Sequence, residues 1–142
     1  MPRVEIDLPA AFLFETDLPI RVADLNYGGH LGNDRVLSLA QEARVQWLAR
    51  HGLGELDVGG GAGLILADAA VVYRTEGKLG MVLRAELGVG EVRSRSVELL
   101  VRLTDRASGQ EIARVKTGVL CFDYAARKVV HLTPALRAAL AG

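Results

Sequence analysis

A polar turn between residues 24 and 34 holds the side chains best suited to chemistry. Five hydrogen-bonding side chains fall within its eleven residues: Asp24, Asn26, His30, Asn33 and Asp34. Two polar groups suffice to cap one helix, so the surplus, together with free backbone N–H groups at a helix start, predicts a site for a polarised carbonyl. Capping and turn formation alone remain the alternative, because Asn and Asp are also favoured at these positions for that reason.

The residues after this turn predict one long helix over 33–50. At about 100° per residue, one face is apolar and wide enough for a sheet to curl around it. That face contains Val36, Leu39, Ala40, Ala43 and Trp47, with Leu37 and Leu48 beside it. Asn33 or Asp34 is the predicted cap. Glu42 lies on the other side of the helix. Its spacing fits either of two roles, a solvated surface residue or a carboxylate base.

Most of the remaining chain is typical of strands. Alternating apolar residues predict half-buried strands over 81–89 and 97–103. A long apolar run predicts a mostly buried strand over 64–75. A turn at Ala107-Ser-Gly109 precedes a further predicted strand over 111–122.

Shorter elements complete the pattern. Residues 1–17 predict a short edge strand or a segment packed over the core, and strands are expected at 19–23 and 127–132. Thr133 followed by Pro134 predicts the start of a C-terminal helix. We therefore expect one α+β domain over residues 1–142, a curved antiparallel sheet around one long helix, with an open edge strand that favours dimerisation.

Composition argues against several classes of protein. Lys and Arg number 17, as do Asp and Glu, so no overall positive field favours nucleic acid. The N-terminal stretch carries Glu5, Asp7 and Glu15, which is unlike a signal peptide or a membrane span. The single cysteine, Cys121, cannot form an internal disulfide. These features predict a cytoplasmic protein without a membrane or nucleic-acid partner.

Metal and phosphate motifs are incomplete. The spacing Asp24-x-Asn26 is like that of a calcium loop, but its twelfth position is Arg35 where such loops have a bidentate Glu. The glycine-rich stretch 59–63 lacks the Lys-Ser/Thr pair of a phosphate loop and leads into a strand, so a mobile loop is expected there. The three histidines are scattered, which argues against a metal site.

At the turn and the helix, the sequence resembles the hotdog-fold acyl-CoA thioesterases, a family that includes 4-hydroxybenzoyl-CoA thioesterase. The shared residues are Arg21, Asp24, Asn26, Gly29-His30-Leu31, Asn33 and Glu42-Ala43-Arg44, followed by Tyr73, the stretch Gly90 to Ser96 and Asp123. The resemblance implies a curved antiparallel sheet around one helix and assembly into homodimers or homotetramers. It also implies an acyl-CoA substrate at the subunit boundary, with coenzyme A present only as part of the substrate and no separate cofactor.

Asn26 departs from the family pattern, because the usual residue four positions before the His is a catalytic Asp. An amide can orient water or donate a hydrogen bond, but it cannot act as a carboxylate base. Our first hypothesis is hydrolysis of an acyl-CoA-type thioester, with the carbonyl oxygen bound by backbone N–H groups near Asn33 and Asn26 positioning the carbonyl or the water. Asp24, Glu42 and His30 are the candidate bases.

Two alternatives stay open. A hotdog-fold hydratase or dehydratase would use a His and a carboxylate, and an acyl-CoA-binding module would have lost turnover with its carboxylate. Arg93 and Arg95 are the predicted contacts for the phosphates of the carrier, because paired guanidinium groups in a flexible turn suit phosphate. Two solvated surface charges are the competing interpretation of these arginines.

Overall fold

The computed structural model describes residues 3–142 as a six-stranded antiparallel sheet and two helices. In chain order the elements are β1 (Phe14–Pro19), α1 (Asn33–Arg50), β2 (Gly63–Tyr73), β3 (Val82–Val92), β4 (Ser96–Asp105), β5 (Glu111–Asp123), β6 (Lys128–Val129) and α2 (Pro134–Leu140). The sheet order is β1-β3-β4-β5-β2, with the short β6 paired to β5. The sheet is curved, and α1 packs against β1, β3 and β5. The predicted α+β architecture is thereby confirmed.

The core forms where the apolar face of α1 meets the inward side chains of the sheet. Ala43, Trp47 and Leu48 of α1 are almost fully buried, as the helical periodicity predicts. Leu83 and Leu87 of β3 are fully buried too, and they follow the period-two alternation of that strand. Burial of α1 by several strands fixes the position of its first turn relative to the sheet.

Several predicted elements are confirmed and two are corrected. Thr133 caps α2, because its hydroxyl accepts a hydrogen bond from the backbone N–H of Leu136 at 3.1 Å. The strand predicted at 19–23 is wrong: β1 already ends at Pro19, and Val22–Asp24 forms a short 3-10 helix. Pro19 was expected to start a strand, but it ends one, because proline has no backbone N–H to donate to a strand ladder.

The edge strand β2 is the second correction. It was predicted to be mostly buried, yet most of its side chains from Ile65 onward are exposed or only partly buried. Its apolar composition is that of an interior strand, but β2 pairs only with β5 and leaves its other edge without a strand in the described part of the chain. Sequence reports the chemistry of a strand and not its place in the sheet.

The N-terminal segment packs over the sheet without forming a strand before Phe14. Of the predicted segment 1–17, the first two positions lie outside the described residues. Ile6 is buried, its carbonyl oxygen accepts a hydrogen bond from Arg114, and the N–H of Leu13 bonds to Leu87. Within residues 3–142, no helix combines the length and apolar character needed to span a membrane.

Candidate active site

The turn before α1 is built on the side chain of Asn26. Its Oδ1 accepts hydrogen bonds from the backbone N–H of Gly28 at 2.9 Å and from that of His30 at 3.3 Å. The backbone N–H of Asn26 donates in turn to the carbonyl oxygen of His30, and Gly29 adopts a φ of +81°. This arrangement uses only the oxygen of the amide, so the NH₂ group of Asn26 is left for a ligand.

Asp24 stabilises the 3-10 helix that precedes the turn. Its buried carboxylate accepts a hydrogen bond from the backbone N–H of Arg21 at 2.8 Å and lies 3.6 Å from the guanidinium of the same residue. Its carbonyl oxygen accepts from the N–H of Gly32. Asp24 therefore connects the end of β1 to the start of α1 through backbone contacts.

His30 faces a carboxylate that the sequence did not single out. Its Nδ1 lies 3.4 Å from Oε2 of Glu76, within ion-pair distance. The same Nδ1 is buried and forms no hydrogen bond to any described residue, so the contact is a close approach and not a hydrogen bond. The segment that carries Glu76 is fixed to the turn by a hydrogen bond from the N–H of Leu31 to the carbonyl oxygen of Gly77 at 2.9 Å.

The helix begins at a glycine. Gly32 is the N-cap of α1 and no side chain caps it, so the prediction that Asn33 or Asp34 caps the helix is wrong. A Cβ on residue 32 would lie 2.7 Å from Oδ1 of Asp34, which favours glycine at this position. Asn33 is instead the first helical residue, and its carbonyl oxygen accepts a hydrogen bond from the Tyr73 hydroxyl at 3.0 Å. The N–H of Arg35 donates to the carbonyl oxygen of Gly32 at 3.0 Å, whereas the N–H groups of Asn33 and Asp34 have no intrahelical acceptor and remain available to a ligand.

These groups surround a cleft of about 250 Å³ between the turn, the start of α1 and the end of β2. Its polar lining includes Asn26, His30, Asn33, Tyr73, Thr75 and Glu76. Its apolar lining is Leu31, Val36 and Ile112. One cleft thus combines amide and backbone donors with a histidine and a carboxylate, the groups required to polarise a carbonyl and activate water.

The structure brings together three of the five predicted catalytic residues. Asn26, His30 and Asn33 line the cleft. Asp24 and Glu42 line a separate depression between β1 and α1. The exposed Glu42 accepts a hydrogen bond from Gln46 one helical turn later, at 2.9 Å.

The predicted carrier-binding arginines lie in the turn between β3 and β4. The guanidinium of Arg93 donates two hydrogen bonds to Glu91, at 3.0 and 3.2 Å, and this pairing with the carboxylate raises the pKa of Arg93. Arg93 also lines a surface hollow with Asp68, Glu91 and Glu98. Arg95 is exposed. Neither arginine lines the cleft described above.

Sequence reasoning missed Glu76, which stands in a polar connection with no periodic pattern. Only the pairing of the turn with this connection, seen as a backbone bridge between His30 and Lys78, brings it to the cleft. That pairing joins residues far apart in sequence and leaves no local signal. Tyr73 was noted for its position alone, and its bond to the start of α1 supplies the reason for that position.

Comparisons with known proteins agree with this architecture. A crystal structure of a 1,4-dihydroxy-2-naphthoyl-CoA thioesterase from Synechocystis matches with a TM-score of 0.83 and 21% identity, covering 90% of this chain and 95% of that one. A candidate thioesterase from Pseudomonas aeruginosa matches with a TM-score of 0.81 and 22% identity, covering 92% and 99%. A candidate thioesterase from Escherichia coli matches with a TM-score of 0.70 and 22% identity, covering 89% and 95%.

These neighbours have the hotdog fold, which is therefore the fold of this chain. Among curated proteins, a sequence comparison finds no match. The family model of the Thioesterase-like superfamily matches residues 20–140, which includes the turn, α1 and every strand after it. This match supports thioester hydrolysis as the general class of reaction. The chain belongs to the Thioesterase-like superfamily.

Proposed function

We propose that the protein hydrolyses acyl-CoA-type thioesters to a free acid and a thiol. The observation that carries this proposal is the cleft whose lining brings together Asn26, the start of α1 and the pair formed by His30 and Glu76. Hydrogen-bond donors for the carbonyl oxygen and a base for the water are the two requirements for adding water to a thioester carbonyl.

The reaction follows from these positions. The carbonyl oxygen accepts hydrogen bonds from N–H groups of the first turn of α1 and from the NH₂ group of Asn26, which stabilises the negative charge that develops on that oxygen. Water loses a proton to a base in the cleft, its oxygen bonds to the carbonyl carbon, and the C–S bond breaks. The sulfur leaves as a thiolate and receives the proton. Removing one such oxyanion donor typically costs about 10²- to 10³-fold in rate.

The size of the cleft supports a division of the substrate between two regions. Ordinary ligand sites occupy roughly 300–1,000 Å³, and this cleft of about 250 Å³ is smaller. It suits the acyl group and the thioester, while the carrier extends outside. Leu31, Val36 and Ile112 supply an apolar lining for the acyl carbons.

We further propose that Arg93 and Arg95 contact the phosphates of the carrier. Arg93 would exchange its bonds to Glu91 for bonds to phosphate, which also carries negative charge. Replacing both with Ala should raise KM with little change in kcat, the mark of lost uniform binding. An unchanged KM for the double variant would leave both as surface charges.

Hydration of an enoyl-CoA is the second candidate, and the proximity of His30 to Glu76 favours it, because a His and a carboxylate also suit addition of water to a double bond. The third candidate is acyl-CoA binding without turnover, which the amide of Asn26 favours.

The test is a thiol-release assay over a panel of acyl-CoAs of increasing chain length, run beside an assay for hydration of an enoyl-CoA. Thiol release by the wild type, reduced in Asn26→Ala and retained in Glu15→Gln, supports the proposal. Glu15 is the control because it is exposed on β1 at the opposite edge of the sheet from β2. Hydration without thiol release would establish the second candidate, and binding without either reaction the third.

A further inference from the structure

We infer that Glu76 is the positioning carboxylate for His30, which takes the proton from the attacking water, an inference that rests on the proposed hydrolysis. The superfamily comparison assigns no role to Glu76, and the sequence gives it no motif. Its placement in the cleft is a property of the folded chain.

The residues that line the cleft limit the possible proton acceptors. Glu76 is the only carboxylate among the described residues that line it. The amide of Asn26 cannot accept a proton under ordinary conditions. Asp24 and Glu42 line the separate depression between β1 and α1. A proton acceptor in contact with substrate therefore has to come from His30, Glu76 or both.

The two ring nitrogens of His30 have different surroundings. Nδ1 of His30 is buried 3.4 Å from Oε2 of Glu76, whereas 42% of the histidine side chain is exposed. The exposed edge is therefore the edge that carries Nε2. A small rotation of Glu76, whose side chain is 69% exposed, closes a hydrogen bond from Nδ1–H to the carboxylate. That bond fixes the tautomer with a free lone pair on Nε2, the form able to accept a proton. Catalytic hydrogen bonds of this kind often shorten only when substrate binds.

Backbone contacts hold the segments of His30 and Glu76 together. His30 and Lys78 form an antiparallel bridge, and the N–H of Leu31 bonds to the carbonyl oxygen of Gly77. A Cβ on Gly77 would lie 2.8 Å from Cδ1 of Ile20 and 3.0 Å from Cβ of Leu31, so the close approach depends on glycine. The backbone positions of His30 and Glu76 relative to each other are thus fixed by the packing of both segments.

The arginine that lines the cleft beside His30 and Glu76 has a carboxylate partner of its own. Arg74, which also lines the cleft, forms an ion pair with Glu111 at 3.3 Å. Within residues 3–142, His30 is the basic side chain that lies within 4 Å of the Glu76 carboxylate. The positive charge that forms on the imidazole when it takes the proton from water is therefore balanced by Glu76. The proton then passes from Nε2 to the departing thiolate, which returns the histidine to its starting form.

The test compares Glu76→Ala, Glu76→Asp and the control Glu15→Gln by kcat, KM and thermal midpoint. We expect Glu76→Ala to lower kcat by about 10- to 100-fold, less than the roughly 10²- to 10⁴-fold typical of a group that itself transfers the proton, with KM and the midpoint nearly unchanged. Glu76→Asp should recover part of kcat. Added formate should raise the kcat of Glu76→Ala and not that of the wild type, because it can occupy the place of the missing carboxylate, and a purely structural role would show no such rescue.

A double-variant comparison tests the coupling. In a His30→Ala background, Glu76→Ala should produce little further loss, because a residue that acts through His30 has no effect without it. If the wild type is active and Glu76→Ala has a normal kcat, the inference about Glu76 is wrong while the proposed hydrolysis stands. Equal fold losses in both backgrounds would overturn the action through His30. A wild type that releases no thiol from any acyl-CoA would overturn the proposed function, and this inference with it.

Discussion

The hydroxyl of Tyr73 donates a hydrogen bond to the carbonyl oxygen of Asn33 at 3.0 Å. This contact joins the last residue of the edge strand β2 to the first residue of α1. Both elements contribute residues to the cleft, so the bond holds the helix start, and with it the N–H groups of the first turn, at a fixed distance from the strand.

Replacing Tyr73 with Phe should therefore affect both stability and catalysis. Loss of this half-exposed bond should lower the free energy of unfolding by about 0.5–1 kcal/mol, and kcat should fall because the helix start is held less firmly. Tyr124→Phe is the matched control, since its hydroxyl donates to the carbonyl oxygen of Leu64 at the other end of β2. Urea unfolding and thiol-release kinetics should show a stability loss in both variants and a fall in kcat only in Tyr73→Phe.

Gly77→Ala should disrupt the contact between the turn and the connection after β2. The new Cβ would press on Ile20 and Leu31, and overpacking of this kind typically costs about 1–3 kcal/mol. Gly54→Ala is the control, because a Cβ at residue 54 meets no atom within 4 Å. Thermal melts should show a marked fall for Gly77→Ala and little change for Gly54→Ala. Equal midpoints would mean that the connection shifts without cost, contrary to the packing described above.

Asn26→Ala should lose activity, whereas Asn26→Asp should retain or increase it. Alanine removes the acceptor for the N–H groups of Gly28 and His30, and it removes the NH₂ donor as well. A carboxylate can still accept both bonds and can serve as a base close to the carbonyl. The measurement is kcat together with the thermal midpoint.

Asp123→Ala supplies the comparison, because its Oδ1 accepts from Ala125 and Ala126 in a turn remote from the cleft. It should lower the midpoint and leave kcat intact. If Asn26→Ala behaves in the same way, the turn is structural and the active-site assignment is wrong.

The start of α1 shows which features of the structure can be predicted from the sequence. The length of the helix and its buried face follow from local periodicity, so both were predicted correctly. The cap was not predicted correctly, because the helix begins at Gly32 without a side-chain cap, although Asn33 and Asp34 are both residue types suited to capping. Local patterns describe what a residue favours, whereas a cap is also decided by the atoms around it.

The candidate site likewise has some residues that local composition identifies and others that only the fold brings in. Composition alone picked out Asn26, His30 and Asn33, which do meet in one cleft. It could not separate them from Asp24, whose polar side chain is directed to the backbone of Arg21. Nor could it find Glu76, which reaches the cleft through a pairing between segments distant in sequence.

Acid should destabilise the protein partly through Glu98. The backbone N–H of Glu91 donates to its carboxylate and Lys116 lies 3.4 Å away, and these contacts lower the pKa of Glu98 below its ordinary value of 4.5. A depressed pKa in the folded state gives stability above the ordinary value, which is lost as the pH falls through the folded value. Glu98→Gln should therefore narrow the difference in thermal midpoint between neutral pH and about pH 3.5. Glu15→Gln should leave that difference as in the wild type; equal narrowing in both would exclude a specific role for Glu98.

The exposed edge of β2 should pair two copies of the chain into a dimer, or into a dimer of dimers. This strand of 11 residues is apolar along most of its length, and Leu66 and Tyr73 are about half exposed. Unpaired strand edges of this kind associate through backbone hydrogen bonds unless charge blocks them.

Ile65→Lys should yield monomers in light scattering at micromolar concentration, and kcat should fall if the acyl-CoA site is completed by the second subunit. Val82→Lys is the control, because Val82 has the same exposure, 38%, but lies on β3 opposite Pro19 of β1. A wild type that stays monomeric at this concentration would contradict the prediction and confine the site to a single chain.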